Sequence, residues 1–142
     1  MITKTEIKNA VYNILRKDGD EYIEGIRVAN WNDLPGKAGH LFVDLKEQGA
    51  AIRKAPNLYY LTAIVRITCY NILEEDYLNL CDLLFIDLVV EDLLFNSDKR
   101  VDALSASWEL DDRLMRFYVT YGYNVEFVGN GKPIALKVKN DQ

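Results

Sequence analysis

The 142-residue sequence predicts an α+β fold: an antiparallel sheet with an N-terminal helix and one long central helix packed on one face. Two observations predict this class. Helical periodicity is confined to residues 3–17 and 73–95, and period-two alternation of apolar and polar residues fills most of the remaining chain. The length suffices for one hydrophobic core, so residues 1–142 are expected to form a single domain.

The first helix is predicted from about residue 3 to residue 17. Thr3 or Thr5 opens it, and Gly19 follows its end, where glycine is common. Its apolar residues recur at helical spacing and form one stripe: Ile7, Val11, Ile14 and Leu15.

Strands are predicted where apolar residues alternate with polar ones. These segments are 21–31, 41–45, 58–72, 104–110, 115–127 and 134–138. Asp111-Asp112-Arg113 and Gly129-Asn130-Gly131 are read as hairpin turns between neighbouring strands. The segment 32–39 is interpreted as a loop, and 47–56 as a mobile connection.

The segment from Leu73 to Phe95 is the most informative, because 15 of its 23 residues are apolar. Placed at 100° intervals they leave no clean polar stripe, and such a helix requires cover on all sides. One sheet and one short helix cover a single side, so the remainder is expected to meet another subunit. The predicted interface residues are Leu78, Phe85, Ile86, Val89 and Leu93. The alternative is that residues 47–57 fold over the helix.

Residues suited to catalysis or metal binding are sparse. His40 is the single histidine, and Cys69 and Cys81 lie among apolar neighbours, where a cysteine is usually a buried hydrophobic residue. The paired acids lie at predicted helix ends and turns, and no phosphate-binding or zinc-binding motif occurs. We therefore expect no catalytic residues, no metal site, no cofactor and no enzymatic activity.

Charge disfavours two further classes of protein. The net charge of -5 argues against general binding of nucleic acid. Asp82, Asp87, Glu91 and Asp92 interrupt the most apolar segment, which argues against a membrane helix. No secretory signal is visible at the N-terminus, so the protein is expected to be soluble and cytoplasmic.

The order of these elements resembles the tail terminator, or tail completion, proteins of long-tailed bacteriophages, which include tail-to-head joining proteins. The resemblance covers about residues 3–125 and includes the opening helix and the helix over 74–95. It also includes the long strand with Tyr59-Tyr60-Leu61 and Ala63-Ile64-Val65-Arg66-Ile67-Thr68-Cys69-Tyr70. The closing pair of strands is 101–109 and Arg116-Phe117-Tyr118-Val119-Thr120-Tyr121. It consists of element order and apolar pattern, without a diagnostic motif.

The resemblance implies a structural protein of the virion tail, assembled in the host cytoplasm. It implies a hexameric ring that caps the tail tube, stops tube growth and joins the tail to the head. The partners would be the tail tube protein and the head completion protein, with DNA passing through the lumen without specific binding. Residues in the two loops are candidates for contacting these partners: Trp31, Leu34, Arg53 and Lys54.

Two other functions compete with this interpretation. One is a different head–tail connector, or a protein-interaction module such as an inhibitor of a host enzyme. The other is a small enzyme built around His40 and Cys81.

Overall fold

A computed structural model describes residues 2–16, 19, 21–23, 26–29, 39–46, 49–70, 74–90, 93–95, 99–128 and 132–133. The helical elements in this part of the chain are α1 (Lys4–Leu15), α2 (Glu74–Phe85) and a π turn (Ile86–Val90) that continues α2. The strands are β1 (Glu21–Ile23), β2 (Ile26–Val28), β3 (His40–Lys46), β4 (Ala51–Ala55), β5 (Leu58–Tyr70), β6 (Leu93–Phe95), β7 (Lys99–Asp111), β8 (Leu114–Val128) and β9 (Lys132–Pro133).

The sheet has the order β1-β2-β3-β5-β8-β7-β6. All neighbours are antiparallel except β2 and β3, which are parallel. The centre is the long β5–β8 pair, which extends in unbroken register from Leu58 opposite Glu126 to Tyr70 opposite Leu114. β4 pairs with the first residues of β5, and β9 pairs with the last residues of β8. The α+β class with two helices on an antiparallel-rich sheet is therefore confirmed.

α1 begins where the sequence predicts. The Thr3 side chain accepts a hydrogen bond from the Glu6 N–H at 3.2 Å, which caps the first turn. Ile2 before the cap and Ile7 after it are both buried in the core, the arrangement of a hydrophobic staple. These contacts fix the entry of the chain into α1, which packs on β3 and β5.

The core lies between one face of the sheet and the two helices. The buried strand residues alternate as predicted: Ala63, Val65, Ile67 and Cys69 on β5, and Met115, Phe117, Val119, Tyr121, Tyr123 and Val125 on β8. Against them pack Ile7, Val11 and Leu15 of α1 and Leu80 and Leu84 of α2. Both helices therefore cover the same face.

The predicted helix over 73–95 is too long at its C-terminal end. Regular α-helix stops at Phe85, and after the π turn residues 93–95 form β6, which pairs with Lys99–Val101 of β7. Two tyrosines secure the π turn: the Tyr121 hydroxyl donates to the Leu88 carbonyl at 2.8 Å, and the Tyr22 hydroxyl donates to Asp87 Oδ2 at 2.6 Å. An apolar run does not distinguish helix from buried strand, and the pairing with β7 decides it here.

The interpretation of residues 47–56 as a mobile connection is also wrong for 49–56, while 47 and 48 lie outside the described residues. Residues 51–55 form β4, and Pro56 and Asn57 turn the chain into β5, with Asn57 at a φ of 68°. Asparagine tolerates this left-handed backbone, and the open edge of β5 supplies hydrogen-bond partners for β4. Arg53 and Lys54 therefore lie on a strand and not in a loop.

Several other boundaries move. Within the segment predicted as one strand over 21–31, residues 21–23 and 26–28 form β1 and β2, which pair with each other. β7 starts at Lys99, five residues before the predicted strand. The turn at Asp112 and Arg113 is confirmed. The loop at 32–38, the turn at 129–131 and the strand at 134–138 lie outside the described residues.

Gly122 in β8 provides a test of the packing on the sheet face opposite α1 and α2. The Tyr60 ring lies directly over this glycine, and a Cβ added there would lie 2.0 Å from the Tyr60 hydroxyl oxygen. Gly122→Ala is expected to lower the free energy of unfolding by about 1–3 kcal/mol, because the ring must move. In a Tyr60→Ala background the same change should cost far less. Urea denaturation of the four proteins checks this, and equal costs in both backgrounds would refute the contact.

Candidate interaction surfaces

The side of α2 and the π turn that faces away from the sheet is exposed and carries four large apolar side chains. We call it the α2 outer face and define it by Leu78, Phe85, Ile86 and Val90. Their exposed fractions are 57%, 40%, 51% and 64%. The opposite side of the same segment is buried in the core through Tyr77, Leu80, Cys81, Leu84 and Leu88. This segment thus carries apolar residues on both of its sides. Among the described residues, the rest of the chain covers only the side that faces the sheet.

The predicted interface residues do not all lie on this face. Leu78, Phe85 and Ile86 are exposed there, whereas Val89 is half-buried against the core. The Leu93 side chain lies outside the described part of the structure. Val90 was not among the predicted interface residues, although it belongs to the same apolar run.

Residues 51–55 do not cover the α2 outer face, since they pair with β5 as β4 and every residue of that strand is exposed. The proposed alternative, in which this segment folds over the helix, is therefore wrong for these residues. Fully burying a side chain of this kind stabilises by about 1.5–3 kcal/mol. Four such side chains form a patch that favours association.

Glu75 and Asn79 are exposed polar residues beside this patch, and Asp82 is a third. Asp82 lies one helical turn from both Leu78 and Ile86. A partner covering the α2 outer face must leave this carboxylate in water or provide a donor for it, because burying an unpaired charge is costly. Asp82 therefore limits how the face can be covered.

The second candidate surface is the sheet face turned away from the helices, which we call the open sheet face. It consists of the residues that alternate with the core on the central strands, including Phe42, Asp44, Tyr60, Arg66, Arg116 and Tyr118. In the described part of the chain neither helix packs on it. It combines aromatic rings with charged groups, which is typical of contact surfaces.

Its charges are largely paired with neighbours. The Arg66 guanidinium donates to both carboxylate oxygens of Asp44, at 2.9 Å and 2.5 Å. Arg116 donates to Glu109 at 3.3 Å, and the Lys46 ammonium lies 5.0 Å from the centre of the Tyr118 ring. The hydrogen bond to Asp44 raises the pKa of Arg66, which stays charged. Among these described residues, positive and negative groups are therefore interspersed on this face.

The side chains considered for nucleophilic catalysis do not converge. Leu41 lies opposite Cys69 in the β3–β5 pair and both are buried, so His40 projects from the other face of the sheet. Burial raises the pKa of the Cys69 thiol to about 12 and that of Cys81 to about 11. Both thiols are therefore protonated at neutral pH, and no thiolate forms beside a histidine. Within the described residues no group of three His, Cys, Asp or Glu side chains is placed to hold a metal ion.

The predicted partner-contact residues separate into two sets. Arg53 and Lys54 are exposed on β4, with the Lys54 ammonium 5.7 Å from the centre of the Tyr60 ring. Trp31 and Leu34 lie outside the described residues.

Sequence reasoning missed Trp108, which is 46% exposed on β7 while its ring stacks on buried Phe117 at 5.7 Å. Its alternation with serines placed it on a strand but gave no sign of this exposure.

In the described part of the chain, neither helix has the length and apolar character needed to cross a bilayer. No protein-family model and no curated protein matches the sequence.

Proposed function

We propose that the protein is a structural subunit that assembles with copies of itself into a ring. In this proposal it resembles the tail terminators of long-tailed bacteriophages: the ring caps the tail tube, stops its polymerisation and joins it to the head. The protein would then act by contact alone, in the virion tail, after assembly in the host cytoplasm.

The α2 outer face is the observation that carries the proposal. Leu78, Phe85, Ile86 and Val90 are exposed on a segment whose opposite side is buried in the core. Soluble proteins seldom leave such a patch in contact with water. A neighbouring copy that covers it removes the unfavourable contact of apolar side chains with water. The order of helix, strands, central helix and closing hairpin supports the resemblance to tail terminators.

Several properties of the chain agree with this role. The net charge of -5 would let DNA pass through a lumen without being held by it. The separated positions of His40 and the two buried thiols agree with a role that needs no catalysis. The tail tube protein and the head completion protein would be the two partners, and a hexamer is the ring size that the resemblance implies.

Electron microscopy of the purified protein tests the proposal. We expect rings of uniform diameter with a central hole wide enough for duplex DNA. Added to a polymerising tail tube protein of the same virus, the rings should shorten the tubes and be found at tube ends. Single compact particles of one subunit, with tube lengths unchanged, would contradict the proposal.

A further inference from the structure

Two edges of the sheet lack a partner among the described residues, one of ten residues on β7 and one of five on β4. On one side β6 pairs with Lys99–Val101 of β7, so that residues 102–111 of β7 pair only with β8. On the other side β4 pairs only with β5. Unpaired edges of this kind present rows of N–H and C=O groups to which another strand can bind.

The hairpin turn determines which groups of β7 point outward. Asp112 and Arg113 have φ values of 47° and 66°. Both turn residues therefore have the left-handed backbone that a two-residue hairpin turn requires. The backbones of Asp111 and Leu114 therefore exchange hydrogen bonds across the turn. From Asp111 backwards along β7, every second residue forms backbone hydrogen bonds with β8. The backbone N–H and C=O groups of Ala106, Trp108 and Leu110 face away from β8.

The two edges are complementary in charge. Residues 102–111 of β7 contain the acids Asp102, Glu109 and Asp111 and no base. Within the subunit Glu109 pairs with Arg116, and Asp102 accepts from the Tyr60 hydroxyl. β4 contains Arg53 and Lys54 and no acid, and both of its basic side chains are exposed. Each edge also carries exposed apolar side chains, Ile52 on β4 and Leu104, Trp108 and Leu110 on β7.

We propose that the β7 edge of one copy binds the β4 edge of the next, extending the sheet from subunit to subunit. The inference rests on the proposed function because it assumes that copies assemble. It adds a main-chain contact to the apolar contact of the α2 outer face. The two edges differ, so the contact is head-to-tail, the type of interface that generates rings when its rotation closes.

Strand direction is compatible with this contact. β4 is antiparallel to β5, β5 to β8, and β8 to β7, so β7 and β4 of one copy run in opposite directions. A rotation about an axis parallel to the strands does not change the direction of any strand. When two copies are related by such a rotation, β7 of one copy is therefore antiparallel to β4 of the next. Antiparallel pairing is the geometry already used by both edges within the sheet.

Proline at an outward position tests the main-chain contact. In the full-length protein, Ala106→Pro removes an N–H that faces away from β8 and leaves the β7–β8 hydrogen bonds in place. We expect the variant to remain folded by circular dichroism and to need at least tenfold more protein for half-assembly by sedimentation velocity. Ala106→Ser keeps the N–H and should assemble like the wild type. A folded proline variant that assembles like the wild type overturns the inference.

Charge reversal provides a second test that does not alter the backbone. Arg53→Glu with Lys54→Glu should also weaken assembly at least tenfold at low salt. Adding Asp111→Lys to the same chain should restore part of it, while Glu109, which pairs with Arg116 within the subunit, is left unchanged. Unchanged assembly of the first variant, or no recovery in the second, overturns the inference while leaving ring formation intact. A wild type that never assembles would overturn this inference and the proposed function together.

Discussion

Replacing Leu78 and Phe85 together by glutamate is expected to dissociate the assembly into folded single subunits. Both side chains lie on the α2 outer face and are exposed in the protomer, so the change leaves its core intact. In the assembly it removes two buried apolar groups, each worth about 1.5–3 kcal/mol, and places two charges there instead. Assembly should weaken by at least about 100-fold, because each 1.4 kcal/mol is a factor of ten. Sedimentation velocity over a dilution series measures this.

A matched control separates the position of the charges from their number. Thr5→Glu with Asn13→Glu adds the same charge to exposed positions of α1. This protein should sediment like the wild type. If both variants dissociate equally, added negative charge alone would explain the result, and if neither dissociates, the α2 outer face would not be the interface.

Adjacent leucines of α2 should respond very differently to truncation. Leu84 is completely buried and Leu83 is 37% exposed, although the two differ by one position in sequence. Leu84→Ala is expected to lower the free energy of unfolding by about 2–5 kcal/mol, because it removes core contacts and leaves a cavity. Leu83→Ala should cost less than about 1 kcal/mol. Urea denaturation of the protomer, at concentrations below assembly, compares them.

This comparison tests the orientation of the helix that defines the α2 outer face. Similar costs at the two positions would mean that α2 is rotated relative to the orientation in which Leu84 is buried and Leu83 is partly exposed. Leu78, Phe85 and Ile86 would then not form one exposed face, and the apolar patch would have to be assigned to other residues.

Much of the fold follows from local pattern. The alternation in β5 and β8 identifies the buried face residue by residue, because a strand reverses its side chain at every position. Thr3 followed by Glu6 gives the start of α1, since this spacing caps a helix. The turn at Asp112 and Arg113 is also local, because these two residues adopt the left-handed backbone that a two-residue hairpin needs.

The errors in the prediction concern segments whose structure is decided by distant partners. Residues 93–95 are as apolar as the helix before them, and only their pairing with β7 makes them a strand. β4 contains alanine, arginine and lysine, which favour a strand weakly, yet β5 offers it an open edge. The same limit applies to the interface residues. The apolar run indicated that α2 exposes a face, but the partial burial of Val89 and the exposure of Val90 depend on the π turn.

The mass of the native protein in solution tests most directly whether copies cover the α2 outer face. Light scattering coupled to size-exclusion chromatography should give a fixed multiple of the 16.3 kDa chain mass, maintained over a wide range of loading concentrations. A mass of one chain at every concentration would contradict the account, because the apolar residues of α2 would then remain exposed to water in the working protein.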